Sequence, residues 1–287
     1  MADRAHLATL RVHCADRPGL VAALAQLLYG HGANILDADQ HADARAGKFF
    51  QRIRFDTRAL HTDRVTLERG INEVAERFGM RWHLRYGDAT PRVAIFVSKY
   101  RHCIYDLLQR HQAGELRCDV AFVAGNHADC APIAAHFGAP FHHIPVPKGG
   151  KAEAEAQQLD LLAQHRVDLV VLARYMQILT ADFLDAFAGD VINIHHSFLP
   201  SFIGSKPYHR AHARGVKLIG ATAHYVTAEL DEGPIIEQDV VRVGHRDAVR
   251  DLVRKGRDVE RQVLARAVRW HLDDRVIRYD NKTVVFA

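Results

Sequence analysis

Asp168-Leu169-Val170-Val171-Leu172-Ala173 is an almost unbroken apolar run, and Val191-Ile192-Asn193-Ile194-His195 is a second. Runs of this length without polar alternation read as strands covered on both faces, the signature of a parallel sheet flanked by helices. Between them, 181–187 carries helical spacing. Working back towards the N-terminus, 92–97, 119–124 and 141–144 read as strands, and 102–111, 129–137 and 152–165 as helices. This alternation predicts an α/β, doubly wound, mostly parallel sheet, whose ligands lie beyond the carboxyl ends of the strands.

The rhythm is different before Gly87-Asp88-Ala89-Thr90-Pro91, a polar stretch ending in proline that reads as a linker over 87–91. Leu7-Ala8-Thr9-Leu10-Arg11-Val12-His13-Cys14 reads as a strand. Asp16-Arg17-Pro18-Gly19-Leu20 makes a turn, with Asp16 expected to cap the next helix and Pro18 to preset its first turn. Val21, Leu24, Leu27 and Leu28 repeat at helical spacing. Strands over 32–36 and 49–55, a helix over 65–78 and a strand over 80–86 complete a βαββαβ order, the ferredoxin-like split. Residues 1–86 therefore form one predicted domain and 92–287 a second.

Of the 287 residues, 48% are hydrophobic and 25% charged, the balance of a soluble globular chain with material for two cores. No apolar run approaches the roughly 18–20 residues that cross a bilayer. The charged start, Met1-Ala2-Asp3-Arg4, has no apolar export region, so the expected location is cytoplasmic. The net charge of +4 is spread evenly: residues 1–86 hold 13 Lys/Arg against 10 Asp/Glu, and the remainder 25 against 24. Without a basic stripe, nucleic acid is not an expected partner. Cys14, Cys103, Cys118 and Cys130 are far apart and form no CxxC pair, which fits buried thiols rather than a disulfide framework.

Chemistry concentrates at the end of the second buried run. Period two puts Asn193 and His195 on one side of the strand and His196 on the other. An amide that donates without titrating suits an oxygen turning negative, and an imidazole trades protons near neutrality. Downstream, His224-Tyr225-Val226-Thr227 ends another strand before Ala228-Glu229-Leu230-Asp231-Glu232-Gly233-Pro234. A carboxylate from this loop would orient the His195 ring, although spacing alone does not choose among Glu229, Asp231 and Glu232. Twenty histidines invite a metal, but the pairs His142-His143 and His195-His196 diverge on strands. His209 and His212 have no HExxH or cysteine set beside them, so no metal is expected.

Two resemblances sharpen this reading. Strand, Asp-Arg-Pro-Gly-Leu turn, helix and Gly-Ala-Asn-Ile strand resemble an ACT domain, a regulatory module that binds amino acids, often across a dimer interface. This implies Asp16, Gly19 and Asn34 as effector contacts and a homo-oligomer. The run Asn193-Ile194-His195-His196-Ser197-Phe198-Leu199-Pro200, followed by Leu230-Asp231-Glu232-Gly233-Pro234, resembles the folate-dependent formyltransferase family. That resemblance implies a catalytic trio of Asn193, His195 and Asp231. It also implies a folate-holding loop over 173–179, with Tyr175, Met176, Gln177 and Leu179, helped by Val226 and Glu229.

An ACT-like segment ahead of this catalytic pattern is similar to the deformylase branch of the family. So are Gly125-Asn126-His127, the stretch from Ser201 through Gly204 to Arg210, Ile219–Tyr225 and Lys255–Glu260, and Gly204 joins the expected substrate contacts. The implied reaction is hydrolysis of 10-formyltetrahydrofolate to formate and tetrahydrofolate, with water as co-substrate, no cofactor and no membrane partner. Two alternatives remain. One is formyl transfer to glycinamide ribonucleotide, against which the turn Val97-Ser98-Lys99-Tyr100-Arg101-His102-Cys103 counts because it lacks the glycine of a phosphate cradle. The other is a non-catalytic amino-acid or folate sensor.

Overall fold

The computed structural model describes residues 5–199 and 207–287. They divide into two compact units, Met1–Thr90 with Asp274–Ala287, and Pro91–Asp273. In the first, β1 (Leu7–Ala15), α1 (Leu20–Gly30), β2 (Asn34–Asp43), β3 (Lys48–Asp56), α2 (Arg64–Phe78) and β4 (Arg81–Tyr86) follow the βαββαβ order. The sheet order is β2-β3-β1-β4, with every pairing antiparallel. Alternate residues of β1, Ala8, Leu10, Val12 and Cys14, are buried with Leu24 and Leu28 of α1 and Leu67 and Ile71 of α2. Asp63 caps α2 by accepting from the Thr66 amide at 2.8 Å.

Two expectations about α1 are corrected. Its N-cap is Gly19, at φ 92°, and the helix begins at Leu20 without a side-chain cap. Asp16 is too far upstream to cap it, and its amide instead donates to the Gly47 carbonyl. Pro18 precedes the helix rather than sitting in its first turn.

The second unit runs through β5 (Arg92–Val97), α3 (His102–Gln112), β6 (Asp119–Gly125), α4 (Ala131–His136), β7 (Phe141–His143), α5 (Lys151–Gln164), β8 (Leu169–Leu172), α6 (Ala181–Ala186) and β9 (Asp190–His195). After these come α7 (Pro207–Arg214), β10 (Leu218–Tyr225), β11 (Ile235–Arg242) and α8 (Val249–Leu272). The sheet order is β11-β10-β9-β8-β5-β6-β7. β7, β6, β5, β8 and β9 are parallel, while β10 and β11 extend the sheet antiparallel. From β5 the chain builds outward to β6 and β7, then crosses back to lay β8 and β9 on the other side. That reversal opens a crevice at the carboxyl ends of β5 and β8. α8 buries Val259, Val263, Leu264, Ala267 and Val268 and packs along β10, β11 and α3. No described helix is long and apolar enough to cross a membrane.

The chain ends with the hairpin β12 (Val276–Tyr279) and β13 (Lys282–Val285), which corrects the assignment of all of 92–287 to the catalytic unit. Asp274 is buried among three arginines of the first unit's sheet: Arg85 and Arg11 reach Oδ1 at 2.8 and 3.3 Å, and Arg52 Nε donates to its carbonyl at 3.0 Å. The Tyr279 ring packs on Phe50 with centroids 4.5 Å apart. The hairpin thus covers the part of the sheet's outer face that holds Phe50 and these arginines, while β2 stays largely exposed. Cys14, Cys103 and Cys130 are buried, and Cys118 is only partly so.

Candidate active site

β9 and β10 pair antiparallel with Asn193 opposite His224 and His195 opposite Thr222, so all four side chains share one face of the sheet. Asn193 Nδ2 lies 3.2 Å from His224 Nε2, and His224 Nδ1 lies 2.9 Å from the Tyr225 carbonyl. A carbonyl only accepts, so Nδ1 carries the proton and Nε2 accepts from the Asn193 amide. Burial pushes the His224 pKa down and keeps the ring neutral. The other Nδ2–H of Asn193, a cavity-lining residue, has no partner among the described residues. Thr222, fully buried, donates to the Ser197 carbonyl at 2.9 Å and accepts from the Leu199 amide at 3.0 Å. It stitches the chain beyond β9 to β10.

Asp231 comes from the loop after β10. The loop closes because Gly233 has no side chain: a Cβ there would stand 1.8 Å from the Tyr225 carbonyl oxygen. The Tyr225 amide donates to the Pro234 carbonyl at 2.9 Å, and Asp231 adopts a left-handed φ of 58°. This conformation carries Asp231 Oδ2 to 3.1 Å from His195 Nδ1, with Oδ1 3.7 Å from His224 Nε2. Burial alone would raise the Asp231 pKa. The hydrogen bond and charge of His195 outweigh it and hold the carboxyl below its ordinary range. His195 is 6% exposed, and its Nε2 has no hydrogen-bond partner among the described residues.

All three expected catalytic residues line one cavity of about 560 Å³. The chain at 175–179 and 226–231 forms its other wall, so Tyr175, Met176, Gln177, Leu179, Val226 and Glu229 all face it. Met176, Ile178 and Leu230 are more than half exposed there and form an apolar lip. Tyr175 also belongs to the core, its ring edge-on to Phe96 and its hydroxyl accepting from Gln158 at 2.8 Å. The Met176 amide donates to Ser98 Oγ at 2.9 Å, tying the loop after β8 to the turn after β5. Gly204 lies outside the described residues. In the first unit, Asp16 and Gly19 lie on the β1–α1 loop and Asn34 opens β2.

Sequence reasoning missed a buried polar cluster on the cavity's other wall. Glu260 of α8 is 1% exposed and receives His102 Nε2 at 2.7 Å and the Tyr208 hydroxyl at 2.6 Å, with Arg174 Nε 3.4 Å away. Burial would raise its pKa, but the His102 hydrogen bond and the Arg174 charge pull it down to about 2. Arg174, at a left-handed φ of 63°, lies over the Tyr100 ring at 4.8 Å. Tyr208 reaches Glu260 only because position 256 is glycine; a Cβ would meet its hydroxyl at 2.0 Å. Beside this cluster, burial and then Arg174 push His196 down to about 3. His102, Cys103 and Glu260 also present donor atoms close enough for a metal. His102 and Glu260 already bond each other, however, and burial raises the Cys103 thiol pKa. The set therefore fits an ion poorly.

A family model for formyl transferases matches residues 91–268, and one for the ACT domain matches 8–76. The formyltetrahydrofolate deformylase of Synechocystis sp. is 54% identical over 280 residues, spanning 98% of each chain. The crystal structure of the formyltetrahydrofolate deformylase from Pseudomonas syringae pv. tomato superposes with a TM-score of 0.95 at 48% identity, covering 98% of this chain and 94% of that one. Glycinamide ribonucleotide transformylase 1 from Symbiobacterium toebii is more distant. It has a TM-score of 0.66 and 30% identity over 71% of this chain and 98% of its own.

Proposed function

The chain belongs to the formyltetrahydrofolate deformylases of the formyl transferase family, and we propose that Asn193, His195 and Asp231 carry its hydrolysis of 10-formyltetrahydrofolate to formate and tetrahydrofolate. The observation that carries this assignment is the 3.1 Å contact between Asp231 and His195 Nδ1, which leaves Nε2 buried and without a hydrogen-bond partner among the described residues, on a ring that lines the cavity. Asp231 is ionised and holds the proton on Nδ1, so Nε2 is the basic nitrogen. It takes a proton from water as the water oxygen adds to the formyl carbon. The carbonyl electron pair moves onto oxygen, where Asn193 Nδ2–H and the new His195 Nε2–H hold it. The Asp231 carboxylate stabilises the imidazolium. Collapse of the intermediate breaks the carbon–N10 bond, and N10 takes the proton from Nε2. Formic acid leaves and loses its remaining proton to solvent.

The folate is proposed to lie along the loop after β8 and the loop carrying Asp231. Its apolar rings would cover Met176, Ile178 and Leu230, with polar contacts from Gln177, Glu229 and the main chain around Val226 and Leu179. Every proton and oxyanion role is filled by a side chain, so the proposed route uses no cofactor. Water fits as the acceptor because the turn after β5 has no glycine, and the Tyr100–Arg174 stack and the Arg174–Glu260 pair stand beside it. In the first unit, the ACT domain supports an amino-acid effector held near Asp16, Gly19 and Asn34 in a homo-oligomer of a cytoplasmic enzyme. The direct test is formate release from 10-formyltetrahydrofolate in ¹⁸O-water without added amine. One labelled oxygen per formate is expected, and unlabelled formate would remove water from the role.

A further inference from the structure

Gly125-Asn126-His127 closes β6, and no step of the hydrolysis uses it. Asn126 is nevertheless buried, as is Ser98, the residue after the neighbouring parallel strand β5. The Ser98 hydroxyl donates to Asn126 Oδ1 at 2.6 Å, and its oxygen accepts the Met176 amide at 2.9 Å. A hydroxyl has a single proton, so committing it to Asn126 turns a lone pair towards Met176. The Asn126 main-chain amide donates to the Val97 carbonyl at 3.3 Å, which fixes the asparagine to the end of β5. The ends of β5 and β6 and the loop after β8 thus share one buried chain of hydrogen bonds, each polarising the next.

The loop that receives this chain has little else to hold its middle. Tyr175 and Leu179 are buried, the Tyr175 hydroxyl is bonded to Gln158, and Glu155 accepts from the Thr180 amide. Between those anchors Met176 and Ile178 are more than half exposed, so their side chains do not fix the segment. Among the described residues, the bond to Ser98 is the only one that an amide of 175–179 donates. We propose that Ser98 and Asn126 are positioning residues for the folate, which set the course of this loop before substrate arrives. The proposal rests on the placement of the folate along the loop after β8. Neither residue lines the cavity, so both act through the Met176 main chain. With that amide held, the main chain of 176–179 meets the folate in one arrangement. Released, the segment samples others, and affinity falls with the fraction of molecules in the competent one. Asn193, His195 and Asp231 come from β9 and the loop after β10, so the chemical step is spared.

Hydrogen exchange and kinetics on the full chain test it. Ser98→Ala should speed exchange of the Met176 amide in the ligand-free protein at least about tenfold. KM for 10-formyltetrahydrofolate and the dissociation constant of tetrahydrofolate should each rise about five- to twentyfold, with kcat staying within about threefold. Asn126→Ala tests the same relay independently. It should weaken tetrahydrofolate about two- to fivefold, and cost less than about twofold more once Ser98→Ala is present. Unchanged exchange at Met176 would overturn the relay whatever the folate does. A loss confined to kcat, or losses that multiply in the double variant, would overturn it as well. Faster exchange with undiminished affinity would also overturn the proposal, and Ile178→Asp then locates the error by putting a charge on the proposed folate face. If tetrahydrofolate binds that variant more weakly, the folate stays on this loop and Ser98 and Asn126 lose their role. If it binds equally well, the folate does not lie on this loop.

Discussion

Asp231→Asn isolates the charge behind the imidazole. Asparagine tolerates the left-handed φ of 58° as aspartate does, and its Oδ1 can still accept from His195 Nδ1, so geometry and fold are retained. What is lost is the attraction between carboxylate and imidazolium. At 3.1 Å and an effective dielectric constant of about 20, it is worth about 5 kcal/mol before desolvation is subtracted. In the proposed mechanism it is felt at the step in which the ring takes the proton from water. The loss therefore falls on kcat rather than on folate binding, at about 10³–10⁴-fold, or about 4–5.5 kcal/mol. Steady-state formate release gives kcat, and titration with tetrahydrofolate gives affinity. The contact further requires non-additivity: once His195→Gln has removed the ring, Asp231→Asn should cost less than about threefold more. A single variant retaining a tenth of wild-type turnover, or losses that multiply in the double variant, would refute the mechanism.

Asn193→Ala removes one oxyanion donor and should lower turnover about 10²–10³-fold with little change in folate affinity, read by the same two assays. Gly233→Ala puts a methyl group 1.8 Å from the Tyr225 carbonyl oxygen, so the loop must move Asp231 away from His195. Turnover should fall at least about tenfold while the melting temperature drops only a few degrees. Glu260→Gln strips the anion from His102, Arg174 and Tyr208, and urea unfolding at neutral pH should show a loss of about 3 kcal/mol. The same group fixes an acid limb. Its folded pKa of about 2 lies below its ordinary 4.5, so its contribution is complete above about 4.5 and is lost as pH falls towards 2. Wild-type stability should decline through that window, and the Gln variant should decline less.

The buried strands were legible because continuous apolar runs have few other uses, and Asn193 and His195 shared a face by parity alone. Asp231 was different. Among Glu229, Asp231 and Glu232 only the family motif chose, because the choice depends on a backbone bend that Gly233 permits and composition does not encode. His224 is recognisable in the sequence at the end of its strand. Its pairing with Asn193 needed the antiparallel register of β9 and β10, which no single strand reveals. Glu260 was hidden more thoroughly: Lys255, Arg257, Asp258 and Arg261 surround it in sequence and read as a solvated face. Only the fold shows that Glu260 turns inward while its neighbours turn out. The C-terminal hairpin was lost for a related reason. Arg11, Arg52 and Arg85 make the face of the sheet it covers look exposed, and their counter-charge, Asp274, is far away in the chain.

Three histidines stand within one small site, and their surroundings, not their shared chemistry, separate their roles. His224 is buried with its Nδ1 proton committed to a carbonyl, so its remaining nitrogen serves as a fixed acceptor that aims Asn193. His196, the residue after β9, does not diverge from His195 as strand parity predicts: their ring centroids are 5.2 Å apart and both line the cavity, but burial and then Arg174 push the His196 pKa down to about 3. His195 has the closer carboxylate oxygen, 3.1 Å from Nδ1 against 3.7 Å at His224, and its second nitrogen has no hydrogen-bond partner among the described residues. In the proposed mechanism, the aspartate that the loop after β10 delivers is what makes that ring the one that takes the proton from water.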